Sequence, residues 1–189
     1  LRLTEESIKG SLNYRHPNFM YSDRALSTSL DVTDTDKLKD FGYKSSLNSI
    51  SLGTSYEQFE NTFFSPKISI SSESLETTAD ASSAYKKQEG SYFDASFSYG
   101  LSFDKRNSAY QPTSGFYSSW YQQLPIVSEN QTVVNGYVIT GYKELLDDMI
   151  ISTGIYTRTV NSLSNDDVRV SRRLYVPSSR LRGFESGKV

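Results

Sequence analysis

The side chains here best suited to specific chemistry are arginines and carboxylates, and two short stretches concentrate them. Near the C-terminus stands Leu181-Arg182-Gly183-Phe184. It joins a planar five-donor guanidinium to a residue free to take positive φ and then to a large aromatic. That order suits a loop tip that turns sharply while Arg182 and Phe184 dock into one prepared receptor. The fork of Arg182 fits a bidentate carboxylate, and complete burial of Phe184 contributes roughly 1.5–3 kcal/mol. The bland alternative is an ordinary turn with a solvated arginine. The second stretch is Phe103-Asp-Lys-Arg-Asn-Ser-Ala-Tyr-Gln-Pro-Thr-Ser-Gly-Phe116. Asp104 and Arg106, two apart on one strand face, can pair across the inside of a closed sheet. Pro112, Thr113 and Gly115 are turn chemistry, so these five residues read as structural rather than catalytic. Arg158, Arg169, Arg172, Arg173 and Arg180 either line a wet interior beneath the C-terminal loop or are solvated loop bases.

No enzyme constellation survives. Serines are plentiful, but His16 is the single histidine, it lies in a turn, and there is no Gly-x-Ser-x-Gly elbow. Asp147-Asp148 and Asp166-Asp167 are adjacent carboxylates, which diverge on a strand and read as hairpin turns. With no cysteine there is no disulfide framework and no thiolate metal site. EF-hand spacing, phosphate loops and His/Cys metal sets are absent. The net charge is −2 with both signs mixed along the chain, which argues against a nucleic-acid partner. The expectation is a non-enzyme without cofactor or metal.

The positioning elements must be strands. Hydrophobic residues make up 36% of the chain, below the roughly 45–50% of ordinary domains, yet there are 14 Tyr and 10 Phe. Helical periodicity is nearly absent and the repeating signal has period two. Phe93, Ala95, Phe97, Tyr99, Leu101 and Phe103 alternate with Asp94, Ser96, Ser98, Gly100, Ser102 and Asp104, a longer run than most soluble strands. Shorter alternations predict strands ending at Leu3 and over 8–14, 25–32, 50–56, 64–70, 116–124, 133–145, 149–160 and 168–176. Pro125 closes one strand, 34–40 is a charged connection, and 74–90 is a long polar loop. About ten strands joined in sequence order make an antiparallel meander, and meanders of long strands close into barrels to remove their edges. No run of 18 apolar residues can form a transmembrane helix, but transmembrane strands need only about 9–11 alternating residues. Small polar faces opposite aromatic and aliphatic ones favour a membrane barrel with a wet lumen over a soluble sandwich. The chain opens on Leu1 and reads as an excerpt of a longer protein, one domain over 1–189, with 167–189 the last strand and the start of a lumen-docking loop.

Three motifs in order carry a resemblance. The stretch from Asp104 to Gly115 resembles the Asp-x-Arg…Pro-Thr-x-Gly turn of the bacterial surface antigen family, the outer-membrane assembly factors of BamA type. Leu181-Arg182-Gly183-Phe184 resembles the [Val/Ile/Leu]-Arg-Gly-[Phe/Tyr] motif of that family's long sixth extracellular loop. Tyr14-Arg-His-Pro-Asn-Phe19 is similar to the Asn-Pro-Tyr-Phe ending of an early barrel strand. The resemblance implies a sixteen-stranded barrel in the outer membrane of a Gram-negative bacterium, preceded by periplasmic POTRA domains. It implies folding and insertion of other β-barrel proteins, with outer-membrane lipid, unfolded barrel substrates, accessory lipoproteins and periplasmic chaperones as partners. It also implies that Arg182 engages an acidic site on a late strand beyond this chain. One departure is that Val176-Pro177-Ser178-Ser179 replaces the Gly-rich approach common in relatives. Two-partner-secretion translocators share the barrel and the loop motif and are the alternative; a passive porin is a third class.

Overall fold

A computed structural model of the chain describes residues 2–3, 7–147, 149–164 and 166–174. They form one antiparallel sheet of nine strands, each hydrogen-bonded to its sequence neighbours. The strands are β1 (Arg2–Leu3), β2 (Ser7–His16), β3 (Ala25–Lys37), β4 (Tyr43–Phe59), β5 (Thr62–Thr77), β6 (Gly90–Asp104), β7 (Gly115–Val127), β8 (Thr132–Leu146) and β9 (Met149–Ser162). The meander is therefore as the alternation predicts.

Opposed residues of antiparallel strands share a face, so the register sorts every side chain. One face carries rows such as Leu30–Ile50–Ile70–Ala95 and Thr28–Leu52–Ile68–Phe97–Leu124. The other carries Ser29–Ser51 and Ser69–Ser96, with Ser98 opposite Lys67 and Gln123. Hydroxyls bond across strands there, Ser29 to Ser51 at 2.7 Å and Ser55 to Ser65 at 2.8 Å, and Gln123 Nε2 donates to Ser96 Oγ at 3.1 Å. Exposure is inverted relative to a soluble core. Leu30, Ile50, Leu52, Ile68 and Ile70 are 43–54% exposed, while Ser98 is 3% exposed. Among the described residues the buried apolar side chains are only Ala25, Leu75, Ala81, Val134 and Val170. A sheet that turns its large aliphatics outward needs an apolar solvent on that side.

The polar exceptions on the apolar face pair with one another. Tyr99 Oη donates to Gln122 Oε1 at 2.6 Å, Gln122 Nε2 to Asn135 Oδ1 at 2.7 Å, and Asn135 Nδ2 to Thr159 Oγ1 at 3.4 Å. Amides that face hydrocarbon would otherwise lose their hydrogen bonds. The two-faced arrangement makes a direct prediction. Ile70→Lys should lower stability in a bilayer by about 2–4 kcal/mol, whereas Ser69→Lys, one residue away on the opposite face, should cost less than about 1 kcal/mol. Urea unfolding in lipid vesicles measures both, and equal losses would contradict the assignment of faces.

Strand ends depart from the sequence reading in five places. β2 runs to His16, which is not in a turn but pairs with Leu26 of β3. The charged stretch 34–40 is not wholly a connection, because β3 runs to Lys37 and pairs with β4 before a single helical turn, Leu38–Phe41, ends at Gly42 with φ 71°. The 74–90 loop is shorter, since β5 reaches Thr77 and β6 begins at Gly90; one helical turn, Ser83–Lys86, stands between, and Tyr85 stacks on Tyr43 at 4.3 Å. Above the hydrocarbon both faces are wet, so alternation fades while pairing continues. Pro125 does not close β7, which continues to Val127. Ser96 pairs with Pro125 and Ala95 with Val127, leaving Ile126 as the extra residue of a bulge beside the proline. Finally, the strand expected over 168–176 is not a strand in its described part: Val170–Arg172 forms a 3-10 turn.

Candidate functional site

The sequence-predicted turn is assembled around Asp104, the last residue of β6. Arg106 donates to both carboxylate oxygens of Asp104, Nε to Oδ1 at 2.8 Å and Nη2 to Oδ2 at 2.7 Å, while its backbone N–H adds a third bond to Oδ1 at 3.1 Å. The two therefore pair with each other within the turn rather than across the sheet, and the guanidinium lies 5.2 Å from the Tyr117 ring centroid. These hydrogen bonds raise the proton affinity of Arg106 further above its ordinary value. Asn107 staples the rest: its Oδ1 accepts the N–H groups of Thr113 and Ser114 at 3.0 and 3.2 Å, and its Nδ2 donates to Thr113 Oγ1 at 2.8 Å. Pro112 follows Gln111, which sits at φ 50°. Gly115 at φ 92° lets Lys105 donate its N–H to Phe116 O at 2.9 Å, and a Cβ on Gly115 would lie 2.0 Å from Lys105 O. Asp104, Arg106, Thr113 and Gly115 thus meet at one hairpin end.

A second cluster lies toward the opposite end of the sheet, on the serine face. Arg169 is 4% exposed, and its Nη1 donates to Glu73 Oε2 at 3.3 Å. Its Nη2 donates to Asp94 Oδ2, and its Cζ stands 4.5 Å from the Tyr92 ring centroid. Arg172 Nη2 reaches the same Asp94 oxygen at 2.9 Å and Ser71 Oγ at 3.4 Å. Asp94 Oδ1 accepts the Ser128 hydroxyl at 2.5 Å, which ties in the β7–β8 turn. Glu73 and Asp94 are 3% and 7% exposed. Val170 N–H donates to Gln88 Oε1 at 2.7 Å and Asn130 Nδ2 to Asp167 O at 2.8 Å, so the main chain is held as well. Two buried carboxylates thus face the buried guanidinium of Arg169 and the part-exposed one of Arg172, and the buried charges depend on their partners.

The sequence singles out Arg169 and Arg172 but not their acceptors, Glu73, Asp94 and Ser71. The only available signal was the position of Asp94 on a polar strand face. Arg173 borders the same region, Arg158 lies on β9, and Leu181, Arg182, Gly183, Phe184 and Arg180 lie outside the described residues. Among the described residues no group of three or more His, Cys, Asp or Glu is placed to hold a metal ion. The arrangement can hold a chain segment against a wall.

Comparison with known proteins decides the family. A model described as the Omp85 superfamily domain matches residues 1–189. The chain belongs to the Omp85 superfamily. No curated protein matches it. Among solved structures it is similar to BamA from Haemophilus ducreyi lacking POTRA domains 1–3, with a TM-score of 0.73 and 19% identity, over 88% of this chain and 35% of that one. The chain thus spans about a third of that protein. In an Omp85 barrel the apolar face meets outer-membrane lipid and the serine face lines the lumen. The fold is all-β, part of an antiparallel transmembrane barrel.

Proposed function

We propose that this chain is the wall and loop root of a BamA-like assembly factor, which folds and inserts β-barrel proteins into the outer membrane of a Gram-negative bacterium. The observation that carries the reading is the superfamily match over residues 1–189, on a sheet whose likeness to BamA has a TM-score of 0.73. Unfolded barrel proteins are the substrates, with periplasmic chaperones delivering them and accessory lipoproteins attached. The work requires no cofactor and no bond-making chemistry. Incoming strands would add to a free sheet edge, where backbone pairing supplies affinity.

The test is complementation. In cells depleted of their own assembly factor, the full-length gene should restore the amounts of folded outer-membrane barrels, and Arg182→Ala should reduce that rescue several-fold, as loss of a charge-assisted contact would. Wild-type rescue by Arg182→Ala, with unchanged heat-modifiability on gels, would remove the assigned role of that arginine. No rescue at all, together with export of a single secreted partner, would favour the translocation pore.

A further inference from the structure

After β9 the described residues 166–174 lie back over the lumen face instead of adding to the sheet. Asp167 sits over the β7–β8 turn, Arg169 over β6 and β5, and Val170, Ser171 and Arg173 border a cavity of about 300 Å³ whose far side includes Thr33 of β3 and Leu47 of β4. We propose that Glu73 and Asp94 form a built receptor that fixes the root of the C-terminal loop, with Arg169 and Arg172 as its positioning residues. Two features point there. The charges balance two against two, with five hydrogen bonds converging from Arg169, Arg172 and Val170 onto Glu73, Asp94, Ser71 and Gln88. Apolar packing contributes little, since Val170 is the one buried apolar residue of the segment among those described. The segment is therefore located by paired charges rather than by a core, which fixes its position sharply while leaving it dependent on a few side chains.

The consequence is a tether. Arg182 follows Arg172 by ten residues, so a fixed Arg172 confines it to about 33–36 Å at full extension. This rests on the barrel reading, not on which polypeptides the protein handles.

Limited trypsinolysis of the purified full-length protein tests it, read as the rate of cleavage after Arg172, whose side chain is engaged by Asp94 and Ser71 until the segment leaves the wall. Arg169→Glu should accelerate cleavage about a hundredfold, because cleavage follows the population of the open form. Barrel heat-modifiability should be unchanged, and adding Glu73→Lys should restore part of the protection, since Asp94 still faces position 169. Gln88→Ala, outside the strands, should accelerate it about tenfold. A folded Arg169→Glu protein cleaved at the wild-type rate overturns the proposal, as does acceleration that Glu73→Lys does not lessen at all. If Arg169→Glu fails to fold, an unchanged rate in Gln88→Ala overturns it. A wild-type protein without heat-modifiability would instead count against the barrel reading.

Discussion

Replacing Asp94 with alanine is expected to destabilise the docked segment by about 3–5 kcal/mol, the usual cost of removing one partner from a buried ion pair. Its Oδ2 receives both Arg169 and Arg172 and its Oδ1 receives Ser128. Without it Glu73 is left to answer two guanidiniums, one of them 4% exposed. The penalty has a ceiling. Once it exceeds the free energy that holds residues 167–172 on the wall, the segment detaches and the arginines rehydrate, so the loss stays local. Amide hydrogen exchange separates the two levels. Exchange at Val170 N–H, which donates to Gln88, should accelerate by a factor of about a hundred or more, while amides in β5 and β6 keep their protection. Combining Asp94→Ala with Arg169→Met should cost less than the two changes added, because the second removes a charge that the first has stranded. Additive losses would show that the contact contributes no coupling. Uniform acceleration across β5 and β6 would show that Asp94 stabilises the wall itself.

The parts of this molecule that were legible in the sequence are those fixed by contact with two different solvents. Phe93 to Asp104 alternates because one side meets hydrocarbon and the other meets water, and its faces fall as read. Beyond the hydrocarbon that constraint lapses: Thr33, Thr35 and Lys37 face the same way as Ser29 and still pair with β4, but Asp34 and Asp36 on the other face are polar as well, so nothing marks the period. The arginine receptor was illegible for a different reason. Glu73 and Asp94 become neighbours only through the β5–β6 register, in which Glu73 pairs with Tyr92 and Ser71 with Asp94, and Arg169 arrives from 75 and 96 positions later in the chain. A single sequence holds neither the register nor the return path. The 104–115 turn lay between these cases. Its composition announced a turn, but that Arg106 grips Asp104 rather than a residue across the lumen depended on the chain reversing within the turn itself.

That turn carries the other large effect. Gly115→Ala is expected to cost about 3–5 kcal/mol, the sum of a strained positive φ, about 1–3 kcal/mol, and a backbone collision that cannot relax cheaply. At φ 92° the new Cβ would stand 2.0 Å from Lys105 O, 2.9 Å from Lys105 C and 3.0 Å from Arg106 Cα. All three are backbone atoms, so relief requires the strands to separate at the bridge where Lys105 N–H meets Phe116 O. Moving Lys105 also displaces Arg106 from the two oxygens of Asp104, so the fork should loosen along with the hairpin. The control is Gly141→Ala on β8, where an added Cβ would meet nothing within 4 Å and φ is not in the positive region; it should change stability by less than about 1 kcal/mol. The measurement is the urea midpoint of the refolded barrel in vesicles for both variants. Equal midpoints would mean that the turn tolerates a side chain at 115 and that its glycine is not a structural requirement. A large loss at 115 alone, partly matched by Asp104→Asn, would place the Asp104–Arg106 fork and the glycine in one cooperative unit at this end of the barrel.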